Sequence, residues 1–224
     1  ENKLIKKILF NEIVSNNNIT FYEKTEILDI QILENFSVLK TNKNSIFSKL
    51  LIAADGKDSF IRKIMKQKVY SKKYKQSAMV INFLHSKNHN NTAYELFYNS
   101  GPLAILPMKK IRTNLFSSSI IWSNDKKRVS QLMKIQPNFL RSILEEKVSK
   151  YVGEIKKIVD VQDFDLTAHI NTKFYDKRLI YLADAAHSIH PIAGQGWNLG
   201  IRDIQNCLKA IQEGISLGLD IGDP

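Results

Sequence analysis

A short stretch near the end of the sequence concentrates residue types that can bind a ligand. An apolar run of strand length, residues 179–183, ends at Asp184, and glycines at positions 194 and 196 precede a helical pattern. In open α/β sheets ligands bind at the carboxyl ends of strands, where an Asp can accept a hydrogen bond from a sugar-like hydroxyl. Glycines let backbone N–H groups approach a ligand, and a helix N-terminus favours negative charge. The stretch predicts a site for a flat or anionic ligand, or only a tight connection between a strand and a helix.

Two other chemistries can be drawn from the same residues, and the sequence argues against both. His187 and His190 lie near Asp184, but no further Cys/His pair at zinc-finger spacing completes a metal site, so we predict none. A hydrolase triad of Ser188, His187 and Asp184 is disfavoured because sequence neighbours seldom adopt triad geometry, and no Gly-x-Ser-x-Gly turn occurs. We expect His187 to pack and hydrogen-bond beside the glycine loop. The other histidines are scattered and expected at the surface or at sheet edges: His85, His89 and His169.

The elements that must position this stretch begin with a helix and a small sheet. Apolar residues at helical spacing predict a helix over residues 4–13. Extended runs at residues 27–33, 36–41 and 45–47, separated by hairpin turns, predict an antiparallel meander. The unbroken apolar run at residues 50–54 ends in Asp-Gly and predicts a parallel central strand that is buried on both faces.

The middle of the chain has a different pattern, which predicts a second unit. Extended stretches at 78–84, 94–98, 103–106 and 115–122 predict a mostly antiparallel sheet, interrupted by one helix that is entered at Pro137 and ends before Gly153. The run at 179–183 and a helix from about Gly196 then return to the first unit. We predict an α/β (α+β mixed) fold with an inserted sheet, and domains at 1–68, 69–175 and 176–224.

Composition limits the class of protein. The 33 Lys and Arg residues against 22 Asp and Glu residues give a net charge of +11, which would suit an anionic membrane or a nucleic acid. Only six of these cations are Arg, and the lysines are dispersed, so we interpret the charge mainly as a compositional bias and predict no nucleic-acid partner. The one cysteine, Cys207, excludes an internal disulfide and predicts a reducing compartment and a buried thiol. No apolar run reaches membrane-spanning length, and we predict no signal peptide.

Two motifs resemble those of a known family. Residues 184–203 resemble the second FAD-binding motif of the aromatic-ring flavin monooxygenases, the group containing p-hydroxybenzoate hydroxylase, and are similar to its ubiquinone-biosynthesis hydroxylase branch. Residues 51–62 resemble the family's Asp-Gly motif, and residues 101–107 and 118–122 resemble strands of its substrate domain. The resemblance covers nearly the whole chain and implies a partial Rossmann-like FAD-binding domain with an inserted substrate-domain sheet.

The resemblance also implies roles for particular residues. Asp184 would bind the ribityl or pyrophosphate part of FAD, the loop at 194–196 the edge of the isoalloxazine ring, and Arg62 the region near the pyrophosphate and the hydride donor. No catalytic acid or base is assigned. The implied cofactor-binding residues are Asp55, Gly56, Arg62, Asp184, Pro191, Gly194, Gln195, Gly196 and Asn198.

The implied activity is hydroxylation of a prenylated phenol in ubiquinone biosynthesis, with FAD, O2 and a reduced donor such as NAD(P)H. The expected location is the cytoplasm, with peripheral contact at the inner face of the membrane and with a ubiquinone-biosynthesis complex. Two alternatives stay open. One is another flavoprotein of the same fold, such as a prenyl reductase or a hydroxylase of soluble aromatics, and the other is a non-enzymatic basic module that binds membrane or nucleic acid.

Two departures from the family pattern matter. Ala183 stands where the family usually has Gly, and we expect its methyl group to crowd the cofactor or to be absorbed by a small backbone shift. No Gly-x-Gly-x-x-Gly spacing occurs among the nine glycines. We therefore expect a fragment without the N-terminal βαβ unit that grips the ADP half of FAD. Such a chain should bind FAD weakly, lack hydroxylase activity and expose apolar strand flanks that promote association.

Overall fold

The computed structural model describes residues 2–109, 115–190 and 194–223. Within these ranges the helices are α1 (Asn2–Ser15), α2 (Phe60–Ile64), α3 (Lys126–Leu132), α4 (Pro137–Val152) and α5 (Gln195–Ser216). The strands are β1 (Ile27–Ile32), β2 (Ser37–Thr41), β3 (Ser45–Ser48), β4 (Leu51–Ala53), β5 (Val69–His85), β6 (Tyr94–Tyr98), β7 (Gly101–Pro107), β8 (Phe116–Asp125), β9 (Ile155–Asn171), β10 (Tyr175–Asp176), β11 (Leu179–Tyr181) and β12 (His187–Ser188).

The first helix and the meander form as the sequence predicts. Strands β1, β2 and β3 pair in that order and antiparallel, with Ile32 opposite Ser37 and Lys40 opposite Ser45. The second turn is closed by Thr41, whose N–H donates to the carbonyl of Asn44 at 2.9 Å. The inward side chains Ile30 and Leu39 join a small core with β4, β11 and α2.

A three-stranded sheet carries both motifs at the ends of neighbouring strands. Strand β11 lies between β10 and β4, and it pairs with β4 in parallel, so the prediction that residues 50–54 form a parallel strand is confirmed. The prediction of a central, doubly buried strand is wrong. Leu51 and Ala53 are buried, but Ile52 between them is 42% exposed, because nothing in the described chain covers that face or pairs with the other edge of β4.

The larger sheet has six strands in the order β12-β9-β5-β8-β7-β6, and all its pairs are antiparallel. Helices α3 and α4 cover one face, where Ile81 and Ile120 of the sheet and Leu144 and Val148 of α4 form the main core. Helix α4 has Pro137 at its first turn and is followed by Gly153 in the left-handed region, as predicted. The mixed α/β fold is confirmed, and the domain boundaries stay a prediction.

Two elements of this unit are absent from the sequence prediction. Strand β9 runs for 17 residues and pairs along nearly all of β5, but only its ends and Leu166 are buried. Residues 164–170 alternate apolar and polar side chains, which is a strand signal that the sequence prediction did not use. Helix α3 follows β8 without a loop, and Asp125 caps it by accepting the N–H of Lys127 at 2.8 Å.

The histidines of this unit do not lie where the sequence places them. His85 is fully buried and His89 is 7% exposed, so the expectation of surface positions is wrong for both. The two rings lie 5.9 Å apart beside Phe116. Their nitrogens bind polar groups of distant segments: His85 contacts the carbonyl of Val152 and the hydroxyl of Ser118, and His89 contacts the carbonyl of Met108. These partners make burial tolerable.

Candidate functional site

The first motif folds into a short capped helix at the end of β4. Gly56 adopts a φ of +84°, which a residue with a side chain rarely adopts, and so allows the chain to turn after the strand. The Asp55 carboxylate accepts the N–H of Ile61 at 3.1 Å, and the buried Ser59 hydroxyl accepts the N–H of Arg62 at 3.0 Å. Asp55 and Ser59 therefore satisfy donors that the N-terminus of α2 leaves free.

Arg62 joins the first motif to the second. One of its Nη1 hydrogens is donated to the carbonyl of Ala185 at 3.1 Å, Nη1 also lies 2.8 Å from Nε2 of His169, and Nη2 donates to the carbonyl of Lys57. Because a guanidinium can only donate, Nε2 of His169 must be an unprotonated acceptor. Its 3.1 Å distance to the carbonyl oxygen of Asp184 is then a contact between two acceptors. Burial and the charge of Arg62 both lower the pKa of His169.

The second motif is a tight turn between β11 and β12. A 3₁₀ turn, Ala183–Ala185, follows β11 and exposes Asp184, whose carboxylate makes no hydrogen bond to any described residue. The carbonyl of Ala185 is fixed from the other side by Nδ2 of Asn171 at 3.1 Å. Because β4 and β11 are parallel neighbours, Asp55 and Asp184 both follow the carboxyl ends of the same pair of strands. The structure thus brings the two predicted motifs together.

Ala183 adopts a backbone conformation that favours glycine. Its φ is +50°, in the left-handed region that is costly for a residue with a Cβ. The Ala183 N–H donates to the Asp203 carboxylate of α5 at 2.9 Å, and the same oxygen lies 2.9 Å from Nε2 of His187. His187 therefore hydrogen-bonds within the motif, as expected.

Helix α5 presents an open N-terminus next to this turn. Gly194 precedes it with a φ of +62°, and no side chain outside residues 191–193, which the structure does not describe, caps the first turn. The helix begins one residue before the predicted start, and four predicted site residues of this turn are exposed: Gly194, Gln195, Gly196 and Asn198. The fifth, Pro191, lies outside the described residues. Uncapped N–H groups at a helix N-terminus suit an anion or the electron-rich edge of a ring.

His190 supplies a further sign that this region is built to receive a ligand. Its Nδ1 atom is buried and has no hydrogen-bond partner among the residues that the structure describes, and its ring packs edge-on against Tyr74 with a centroid distance of 4.9 Å. Burial lowers the pKa of the ring. A buried polar atom without a partner costs about 1–3 kcal/mol, so a ligand that reaches it would gain a hydrogen bond. The residues present therefore fit the flavin half of FAD, whereas no glycine-rich phosphate loop is present in the sequence.

The large cavity of the chain lies beside this site. It has a volume of about 760 Å³ and opens between α5 and the three-stranded sheet, with Cys207 and Ile211 on the helix and Ile180 and Tyr181 on the sheet. Cys207 is only half-buried, and burial raises the pKa of its thiol. Burial also raises the pKa of Tyr181 to about 12. His187 and Asp203 line its edge, so the cavity adjoins the candidate site, although Asp55, Arg62 and Asp184 do not line it.

The described residues contain neither a metal-binding cluster nor a membrane-spanning helix. No group of three or more His, Cys, Asp or Glu side chains is arranged to hold a metal ion within the ranges that the structure describes. Among the same residues, no helix combines the length and apolarity needed to cross a membrane.

Three residues of the site were not identified from the sequence as part of it. Ser59 caps the helix of the first motif, and a Ser directly before apolar residues such as Phe60 and Ile61 is a helix-start signal that could have found it. His169 lies far away in sequence and had no such signal. Asp203 ends the second motif, but no sequence signal shows that its carboxylate reaches back to the turn.

Comparison with known proteins identifies relatives of about twice the length. A family model described as "FAD binding domain" matches residues 3–216. The "Ubiquinone hydroxylase UbiL" of Rhodospirillum rubrum is 30% identical over 192 residues, which cover 86% of this chain and 44% of the relative. The "3-demethoxyubiquinol 3-hydroxylase" of Escherichia coli is 25% identical over 221 residues, which cover 97% of this chain and 54% of the relative. The chain spans about half the length of these curated relatives.

Solved structures share the fold. PqsL of Pseudomonas aeruginosa, described as a probable FAD-dependent monooxygenase, superposes with a TM-score of 0.74 at 17% identity, covering 97% of this chain and 61% of that chain. The p-nitrophenol 4-monooxygenase PnpA of Pseudomonas putida gives a TM-score of 0.69 at 15% identity, covering 95% and 55%. At these identities the likeness shows the fold alone. Together with the relatives, it confirms the predicted fold class and the resemblance to the ubiquinone-hydroxylase branch.

Proposed function

Because the chain belongs to the FAD binding domain family, we propose that it forms one wall of an FAD site in a monooxygenase. The proposed reaction is hydroxylation of the aromatic ring of a prenylated phenol in ubiquinone biosynthesis. The observation that carries the proposal is the bond from Arg62 to the Ala185 carbonyl, which holds both motifs at one edge of the parallel strands. At that edge two carboxylates and an uncapped helix N-terminus are available to a ligand.

The residues of this wall would bind and orient the cofactor. Asp184, exposed and without a described partner, is placed to accept a hydrogen bond from a ribityl or ribose hydroxyl. The N–H groups of the first turn of α5, from Gln195 onward, are placed to stabilise negative charge at the edge of the flavin ring. Bound FAD, reduced by NAD(P)H or another donor, supplies the activation of O2. Arg62 contributes by fixing the geometry, since its donors are used by backbone carbonyls and His169.

The uncovered face of the six-stranded sheet is the surface that we propose for the phenol. Val80, Ala104 and Ile121 are neighbours in register on three adjacent strands, and all three are half-buried. They alternate with core residues such as Met79 and Ile120, so they lie on the face opposite α3 and α4. An apolar surface of this kind suits an aromatic ring or an isoprenoid chain.

Binding is tested with Asp184→Ala and a matched control, Asp163→Ala, which removes an exposed carboxylate of β9. Loss of a hydrogen bond to the cofactor should cost about 1–3 kcal/mol, roughly 5- to 150-fold in FAD affinity by calorimetric titration. The control should bind FAD as the unaltered chain does. Equal affinity of the Asp184 variant and the control contradicts the assignment.

Activity is tested by joining the chain to an N-terminal glycine-rich unit taken from a matched relative. The fusion should be yellow and should oxidise NAD(P)H faster when a prenylated phenol is added, whereas the 224-residue chain alone should bind FAD weakly and show no such activity. A colourless fusion that binds nucleic acid or vesicles in a salt-dependent manner would favour a basic binding module.

We also propose a peripheral membrane contact at the inner face of the cytoplasmic membrane, where a prenylated substrate would be found together with other ubiquinone-biosynthesis enzymes. The net charge of +11 supports attraction to anionic lipid, which weakens as salt increases. Sedimentation with anionic vesicles measures this contact. No binding at low ionic strength would leave composition bias as the explanation of the charge.

A further inference from the structure

Asp203 connects three parts of the candidate site through a single carboxylate oxygen. Oδ2 accepts the backbone N–H of Ala183 and the Nε2–H of His187, each at 2.9 Å. Ala183 begins the turn that exposes Asp184, His187 belongs to β12, and Asp203 itself lies in α5. Because this oxygen accepts both bonds, the His187 ring carries a proton on Nε2.

The bond to Ala183 supports a backbone conformation that alanine disfavours. Ala183 has a φ of +50°, and its N–H is one of the donors that the left-handed turn must satisfy. The His187 and Asp203 side chains are 16% and 25% exposed, so both hydrogen bonds are shielded from water, which strengthens them.

The same part of α5 rests directly on the turn. Gly200 is buried, and a Cβ built on it would lie 3.0 Å from the Cβ of Ala183. Gly200 lies about one helical turn before Asp203. The close approach sets the distance between the helix and the turn, and the carboxylate sets their relative orientation.

We propose that Asp203 is a positioning residue of the FAD site. Its carboxylate fixes the position of the Asp184 turn relative to the N-terminus of α5, so that both segments can bind the same cofactor molecule. Asp203 lies about two helical turns, roughly 10 Å, from Gly196, so it acts through the backbone that it holds. The inference rests on the proposed function, because it concerns the same cofactor.

Three variants and a control separate positioning from charge and from simple stability. Asp203→Ala removes both hydrogen bonds, and Asp203→Asn keeps an oxygen in the same place. Asp203→Glu keeps the charge but moves the oxygen outward by one methylene. The control is Gln205→Ala, an exposed position of α5. FAD affinity is measured by calorimetric titration, and circular dichroism shows whether each variant is folded.

We expect Asp203→Ala to weaken FAD binding about tenfold, because it removes two shielded, charge-assisted hydrogen bonds that act on the cofactor only indirectly. Asp203→Asn should stay within about threefold of the unaltered chain, since an amide oxygen accepts the same two bonds less strongly. Gln205→Ala should have no effect. If Asp203→Ala does not fold, Asp203→Glu is used in its place. We expect Asp203→Glu to bind FAD about fivefold more weakly than Asp203→Asn does, because it keeps the charge but displaces the accepting oxygen.

Equal FAD affinity of the Ala, Glu and Asn variants and of the unaltered chain overturns the inference and leaves the proposed function standing. No binding of FAD to the unaltered chain at millimolar concentration overturns both. The 15N shifts of the His187 ring give a check that needs no cofactor. The unaltered chain should show protonated Nε2, and an Nδ1-protonated neutral ring would contradict the bond to Asp203.

Discussion

Replacing Gly200 with Ala should destabilise the chain, and replacing Ala183 with Gly should reverse that effect. Gly200 is a buried residue of α5, and the two atoms within 4 Å of a Cβ built on it are the Cβ of Ala183 at 3.0 Å and the Cα of Ala183 at 3.8 Å. The first distance is too short for two methyl groups, and the second is ordinary contact. The clash therefore depends on the Ala183 methyl alone.

The magnitudes follow from two opposing effects at Gly200. Alanine in a helix interior gains about 1 kcal/mol over glycine, whereas overpacking a buried contact costs about 1–3 kcal/mol. Gly200→Ala alone should therefore destabilise the chain by up to about 2 kcal/mol. In the Ala183→Gly background the overpacking disappears, and Gly200→Ala should stabilise by about 1 kcal/mol. Ala183→Gly alone should be neutral to slightly stabilising, because relief of about 1–2 kcal/mol of left-handed strain exceeds the entropy gained by the unfolded chain.

Thermal and urea unfolding of the two single variants and the double variant measure the coupling. The coupling free energy should be about 1–3 kcal/mol in the direction that stabilises the double variant. Each kcal/mol of unfolding free energy corresponds to a shift in Tm of about 2–4 °C for a domain of this size. Effects that add to within about 0.5 kcal/mol would refute the close approach of α5 to the turn.

Three further predictions concern charge and pH. Arg62→Gln should raise the pKa of His169, because the guanidinium charge adds to burial in lowering it; an unchanged His169 titration by NMR would contradict their contact. The ion pair in which Arg178 donates to the Asp220 carboxylate stabilises the folded chain, and this hydrogen bond lowers the pKa of Asp220 to about 2. The stabilisation is present above about pH 4 and is lost as the pH falls toward 2. Asp220→Asn should flatten that acid limb in urea unfolding, and an unaltered limb would contradict the ion pair. Burial and then the neighbouring His89 lower the pKa of His85, so the folded chain takes up its proton less readily than the unfolded chain, and stability should fall as the pH drops below about 6.5. His85→Gln should remove part of this loss of stability at low pH. An unchanged pH profile would show that protonation of another group causes the loss.

Short sequence patterns predicted much of the candidate site. The two apolar runs that each end in Asp were predicted to be strands of the first unit, and the structure makes them parallel neighbours whose carboxyl ends meet at one edge. Asp55 and Asp184 lie at that edge. The glycines at positions 56 and 194 placed the turns to within a residue or two.

The rest depended on contacts between distant segments. Strand β9 pairs with β5, as Gln162 does with Val80, but two apolar residues of its alternating stretch, Phe164 and Ile170, are exposed, so local alternation alone does not place the strand in the sheet. His85 is buried because Ser118 and Val152 supply polar partners 33 and 67 residues away. Asp203 belongs to the polar side of an amphipathic helix by sequence, and its two donors, the N–H of Ala183 and Nε2 of His187, come from segments 20 and 16 residues away.

The most direct test of the FAD wall is a map of where the cofactor touches the chain. The sequence has nine glycines, so glycine-selective 15N labelling gives a simple amide spectrum in which both motifs and the remote sheet are represented. On titration with FAD, the amides of Gly56, Gly194 and Gly196 should shift together along one binding curve, while Gly101 and Gly153 in the six-stranded sheet region stay unchanged. Shifts confined to Gly101 and Gly153, or none at millimolar FAD, would contradict the account.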